Sequence, residues 1–143
     1  MIDPLPVGAL ERDPELEPYW TANDGGQLVL PRCAACGHTW WYPRPRCPYC
    51  TSADVSWEPH AGNGTVYTLT VNRRPQGAYA ELDHIVIAYV ELDNGLRLMT
   101  NLVETDGVEV GIGTPVEPVF QPAGEGRVLR FRPVRPREHG DRP

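Results

Sequence analysis

Two Cys-x-x-Cys pairs, Cys33-Ala34-Ala35-Cys36 and Cys47-Pro48-Tyr49-Cys50, stand ten residues apart and constrain this chain more than any other feature. Each pair lets a tight turn aim two thiolates at one ion. A second such knuckle on a neighbouring hairpin completes a tetrahedral four-thiolate shell, which suits zinc. The expected ligands are Cys33, Cys36, Cys47 and Cys50; iron in the same shell, or redox-active thiols, are the alternatives. Four thiolates leave no open position for substrate or water, so the expected role of the metal is a structural staple. Gly37 follows the first knuckle and permits its turn, whereas Thr51 stands at the equivalent place in the second and predicts a strained one.

The remaining 125 residues around the Cys33–Cys50 segment must supply the core, since the whole chain has 143. That length suits one compact domain with an appended module and excludes a large barrel enzyme or a two-domain dehydrogenase. The net charge is −6, and every basic residue is arginine. An acidic chain of this kind argues against a dedicated nucleic-acid binder. The charge is uneven: residues 1–126 hold 7 arginines against 17 acids, and residues 127–143 hold 6 arginines against 2 acids. No run approaches the roughly 18 apolar residues of a membrane helix, and the N-terminus has no basic region followed by an apolar one. The expectation is a cytoplasmic protein with reduced thiols and no membrane.

Asp13-Pro14 reads as a helix start, with a side-chain cap and proline at the first helical position. PELEPYWTAND then runs for two to three turns until Gly25-Gly26, with Tyr19 and Trp20 as an aromatic face that must dock on something. Residues 28–57 look too irregular for regular structure. Beyond Gly62-Asn63-Gly64 the pattern turns to strands: Thr65–Arg73, His84–Asp93, then the Asn94-Gly95 hairpin signal, Leu96–Val103, Val116–Gln121 and Arg127–Arg132. Five short strands within about 70 residues fit a small barrel or sandwich. The Pro/Arg/Gly-rich end reads as a basic, flexible tail. The expected organisation is therefore an arm and helix at 1–27, the cysteine module at 28–60, the barrel at 61–133 and the tail at 134–143.

Other side chains offer less. His38, His60, His84 and His139 are scattered, and no serine or cysteine joins a histidine in a nucleophile pattern. Trp40-Trp41-Tyr42 is expected to bury the cysteine module against the helix or barrel, the alternatives being an exposed partner surface or base stacking, which the acidic body disfavours. The long loop Pro75–Asp83 is a candidate for ligand or partner contact. The terminal arginines are read either as a solvated tail or as a docking strip for an acidic partner or a phosphorylated ligand.

Taken in order, the helix with PYW, LVLPRCAACGHTWWYPRPRCPYC, WEPHAGNGTVYTLTVNRRP and HIVIAYVELDNGLRLMTNLV resemble the acyl-CoA-associated OB-fold proteins with an N-terminal rubredoxin-like zinc ribbon. The resemblance covers about residues 14–133. It implies a mainly β fold: a short N-terminal helix, the ribbon, then a five-stranded OB-fold barrel. It also implies a structural zinc on the four cysteines, no catalytic residue, and a hetero-oligomer with a thiolase-like or aldolase subunit, acyl-CoA lying at the interface. The implied role is an accessory subunit that binds and stabilises that enzyme, an acyltransferase or a steroid side-chain aldolase of lipid metabolism, and helps shape its acyl-CoA site. A stand-alone acyl-CoA binder and a single-stranded nucleic-acid binder are the competing readings; charge counts against the second.

Overall fold

The computed structural model describes residues 5–7 and 10–135. Of the expected tail only Val134 and Arg135 fall within that range; His139 and the tail arginines from 137 onward lie outside the described residues, as do residues 1–4 of the arm.

Asp13 caps the N-terminus as its sequence suggests, its side chain accepting from the Glu15 amide at 2.9 Å. The helix, however, is split into a 3₁₀ turn, Pro14–Leu16, and an α-helix α1, Glu17–Asp24. Pro18 is the reason: it has no N–H to offer the Pro14 carbonyl, which takes the Glu17 amide instead. Leu16, Tyr19, Trp20 and Asn23 are the buried face of this short element.

The cysteine segment contains regular structure that its sequence does not advertise. Strands β1, Leu28–Cys33, and β2, Val55–His60, pair antiparallel from Leu28↔His60 to Cys33↔Val55. Leu28, Val29 and Leu30 are all buried, so β1 lacks the alternation that marks a half-exposed strand, and Pro31 and Pro59 sit within the ladder.

The five barrel strands fall close to their expected places: β3 Gly64–Asn72, β4 Ile85–Leu92, β5 Arg97–Leu102, β6 Pro115–Ala123 and β7 Gly126–Pro133. They close in the order β3-β4-β5-β7-β6, a five-stranded Greek-key barrel of the OB type. β5 and β7 meet in parallel at the single pair Leu102↔Phe131. Closure between β3 and β6 is equally brief, at Gly64↔Val116 and Thr65↔Pro115. Gly64 is required there, since a Cβ would lie 2.6 Å from the Glu91 carbonyl oxygen. The loop Pro75–Asp83 carries one 3₁₀ turn, Gly77–Tyr79.

One core joins the parts. Val66, Val90, Leu98, Val116 and Phe131 fill the barrel, and Leu16, Tyr19, Trp20 and Leu28–Leu30 join the same cluster from outside it. Burying each such side chain contributes about 1.5–3 kcal/mol, so the marginal helix and the ribbon gain their stability from the barrel. Polar contacts fix the same seam. Asp24 accepts from Arg12 at 2.7 and 2.8 Å and from the Arg127 backbone N–H at 2.9 Å. The Arg12 bonds, and next the Arg127 amide, hold the Asp24 carboxyl down at about 2. A depressed carboxyl favours the folded state above its unfolded value near 3.8 and loses that contribution as pH falls toward 2. Wild type should therefore melt above Asp24→Asn at pH 5–7, and the gap between their melting temperatures should close between about pH 4 and 2.

Candidate metal centre and the seam beside it

The two knuckles are built alike. The Gly37 amide donates to the Cys33 carbonyl at 2.8 Å, and the Thr51 amide to the Cys47 carbonyl at 2.9 Å. The Cys33 amide donates to the His38 carbonyl and the Cys47 amide to the Ser52 carbonyl, at 2.9 and 3.0 Å. Cys33 and Cys47 are buried; Cys36 and Cys50 face outward. Residues 33–38 and 47–52 thus form a pseudo-symmetric pair of turns that present four sulfurs to one point.

All four thiols are free, and their Sγ atoms lie within 4.8 Å of one another. The shortest approaches run between knuckles, Cys33 to Cys50 and Cys36 to Cys47, each 3.5 Å. A tetrahedron of zinc–sulfur bonds near 2.3 Å sets sulfurs about 3.8 Å apart, so the donor set fits a zinc ion with little adjustment. Backbone amides point at the sulfurs. The Cys36 N–H, foremost, brings the Cys33 thiol down to about 7, and the Tyr49 N–H points at Cys47 Sγ at 3.4 Å. His38 Nδ1 lies 3.2 Å from Cys36 Sγ while its ring stacks on Tyr49 at 4.1 Å, which places it beside the shell, outside the four-sulfur set. Trp40 and Val55 wall the inner side with Cys33 and Cys47.

The expected strain at Thr51 is present: its φ is +65°, against +76° at Gly37. For a β-branched residue this left-handed conformation costs about 1–2 kcal/mol, part of which glycine returns through unfolded-state entropy. Thr51→Gly should raise the stability of the zinc-loaded protein by about 0.5–1 kcal/mol in urea denaturation.

The three aromatics between the knuckles separate in role. Trp40 packs on the cysteines, Trp41 meets Tyr19 edge-on at 5.8 Å, and Tyr42 is 53% exposed. Trp41 therefore does dock the ribbon on the helix, and burial at that seam pushes the Tyr19 hydroxyl up to about 12. Beside it runs a cleft of about 150 Å³ with Trp41 and Tyr42 on the ribbon side and Leu98, Met99 and Phe131 on the barrel side. Met99, 63% exposed, sits opposite Tyr89 in the β4–β5 ladder, so an exposed apolar band crosses from ribbon to barrel.

Part of the basic end is spent internally. Arg132 pairs with Glu117 at 2.9 Å and Glu104 at 3.1 Å, bracing the barrel. His60 is likewise committed. His60 Nδ1 accepts from the Gly62 amide at 2.8 Å and Nε2 donates to Asp93 at 2.7 Å, which ties the ribbon to the β4–β5 hairpin. With both nitrogens engaged, that pair has none left to activate a nucleophile.

Known proteins match along the same division. The model of the ChsH2 rubredoxin-like zinc ribbon domain matches residues 20–56, and that of the ChsH2 C-terminal OB-fold domain matches residues 57–121. The chain is 38% identical over 135 residues to a probable enoyl-CoA hydratase alpha subunit of Thermomonospora curvata, covering 93% of this chain and 41% of that one. It thus spans about two fifths of that relative's length. It is 30% identical over 124 residues to a DUF35 domain-containing scaffold protein of Pyrococcus furiosus, covering 81% of this chain and 90% of that one. Among solved structures, a chain of the Ltp2–ChsH2(DUF35) aldolase superposes with a TM-score of 0.73 at 36% identity, covering 89% of this chain and 98% of that chain. A DUF35-family protein from Sulfolobus solfataricus, with a TM-score of 0.61 at 14% identity over 85% of this chain and 86% of that one, shares the fold. With its zinc-ribbon and OB-fold modules both of the ChsH2 type, the chain belongs to the DUF35 family.

Proposed function

We propose that this chain is a non-catalytic accessory subunit that binds and stabilises a thiolase-like acyl-CoA enzyme and helps shape its acyl-CoA site. The partner's reaction is acyl transfer or the aldol cleavage of a steroid side chain. The observation that carries this reading is the likeness, at 36% identity and over 98% of its length, to the DUF35 chain of an aldolase. Local chemistry supports it. Cys33, Cys36, Cys47 and Cys50 hold a structural zinc whose shell is closed, so the ion staples residues 28–60 and leaves no position for substrate. Residues 61–133 form the barrel. The band of Tyr42, Met99 and Tyr89 has the aromatic and methionine character of an interface core. Nucleophile and base belong to the partner, and the assembly works in the cytoplasm, where the thiols stay reduced.

The test is to express a thiolase-like enzyme from the same source as this chain with and without it. Together they should yield soluble enzyme active on acyl-CoA esters; the enzyme alone should be insoluble or at least tenfold less active. Equal activity without the chain, or turnover of acyl-CoA esters by the chain by itself, contradicts the proposal.

A further inference from the structure

Strand β3 has an edge that the fold leaves open. It pairs with β4 from Gly64 to Asn72, but with β6 only at Gly64 and Thr65. Val66 then bonds through its amide to Thr114 and through its carbonyl to Gly113. From Thr68 to Asn72, no strand pairs on the side away from β4 among the described residues. Alternate N–H and C=O groups of that stretch therefore face outward unladdered. Thr68, Thr70 and Val71 are exposed.

Open edges are ordinarily blunted by proline or charge, and the other strands follow that rule. β1 has Pro31 and Arg32, β2 has Glu58 and Pro59, and β5 has Arg97. β6 contains three prolines, β7 three arginines, and the central β4 has Glu91. β3, GTVYTLTVN, is without either, and its threonines and valines favour extended backbone. A five-residue edge of this kind is a hazard to a free chain unless a strand covers it.

Charge limits what that strand is. Arg73 and Arg74 follow β3 directly and are exposed, and neither guanidinium has an ion pair or hydrogen bond among the described residues. A second copy fits poorly. Antiparallel pairing about Thr70 sets Arg73 of one copy opposite Tyr67 of the other, whose ring already lies 3.8 Å beneath the Arg97 guanidinium. Two like charges would then crowd one ring. We infer that the Thr68–Asn72 edge receives an extended acidic segment of the partner enzyme as an added strand. The main chain of that segment completes the ladder, and its carboxylates meet Arg73 and Arg74. This inference rests on the accessory-subunit reading and adds to it where, and by what chemistry, the two proteins join.

Hydrogen–deuterium exchange on the co-expressed complex and on the chain alone tests it. Exchange over residues 67–73 should slow at least tenfold in the complex. The double variant Arg73→Glu/Arg74→Glu, on exposed positions, should keep its zinc and melting temperature and lose at least tenfold in affinity for the enzyme. A complex with unchanged exchange over 67–73, or one indifferent to the charge reversal, overturns the added strand and leaves the accessory reading standing. Failure of any complex to form overturns both. Protection in the chain alone that grows with its own concentration assigns the edge to a second copy and overturns the inference as well.

Discussion

Cys47→Ser is expected to take bound zinc from one ion per chain to none and to unfold the ribbon, measured by metal analysis and by amide exchange over β1 and β2. Cys47 is buried with Cys33 and Trp40, with Val55 packed against them, in a small cluster separate from the main core. A cluster of that size does not hold two short strands without its metal. In small zinc modules the ion supplies about 10–16 kcal/mol of binding free energy, nearly all of it spent on folding. The damage should reach the barrel too, because Leu28, Val29 and Leu30 of β1 belong to the main core. A loss of about 3 kcal/mol or more, lowering the melting temperature by about 10 °C, is expected. Chelation of the wild type should reproduce it. A Cys47→Ser protein that retained zinc and ribbon protection would break the link between the shell and the fold.

Phe131→Ala should be nearly as costly while leaving the metal in place. Phe131 has no exposed surface and lies where β7 meets β5, paired with Leu102. Its carbonyl accepts the Val103 amide at 2.9 Å, so side chain and backbone hold the same joint. Removing a buried phenyl ring costs about 3–5 kcal/mol through lost transfer energy and the cavity left behind. Urea denaturation should show that loss with an unchanged zinc content. The two variants therefore separate metal-derived from core-derived stability within one cooperative unit.

Most of the fold was legible in the residues because its signals are local. The cysteine spacing defines the knuckles, Asn94-Gly95 the β4–β5 turn, and alternating apolar residues the barrel strands. What stayed hidden depends on partners distant in sequence. β1 and β2 are strands because they pair with each other and sit on the barrel, and Leu28–Leu30, buried on every side, carry no alternation to announce it. Pro18 splits the helix through a missing bond to Pro14, a consequence of its position that composition does not weigh. Asp24 gave no signal at all: its role comes from Arg12, twelve residues back, and from an amide at position 127. The charge asymmetry was plain in the sequence, but only the fold reveals that Arg132 is consumed by Glu104 and Glu117. The open edge of β3 was equally invisible, since a free edge is defined by where β6 stops pairing.

The candidate metal centre was the most readable feature, and the strain at Thr51 came with it. The seam was less so. The Trp40-Trp41-Tyr42 run promised docking, yet only Trp41 meets the helix; Trp40 turns to the cysteines and Tyr42 to the outside. Adjacent residues on an irregular segment point in different directions, and no periodicity assigns them. That division is what leaves an exposed aromatic on the ribbon facing Met99 across the cleft.

The central claim is that this chain is a zinc-stapled subunit whose function is exercised on another protein. The most direct measurement is light scattering on a size-exclusion column, with zinc analysis of the peak, for the chain co-expressed with a thiolase-like enzyme of the proposed partner class. The account predicts one hetero-oligomeric peak containing both proteins, with one zinc per copy of this chain. Two separate peaks, or a complex that forms equally well after the four cysteines are replaced, would contradict it.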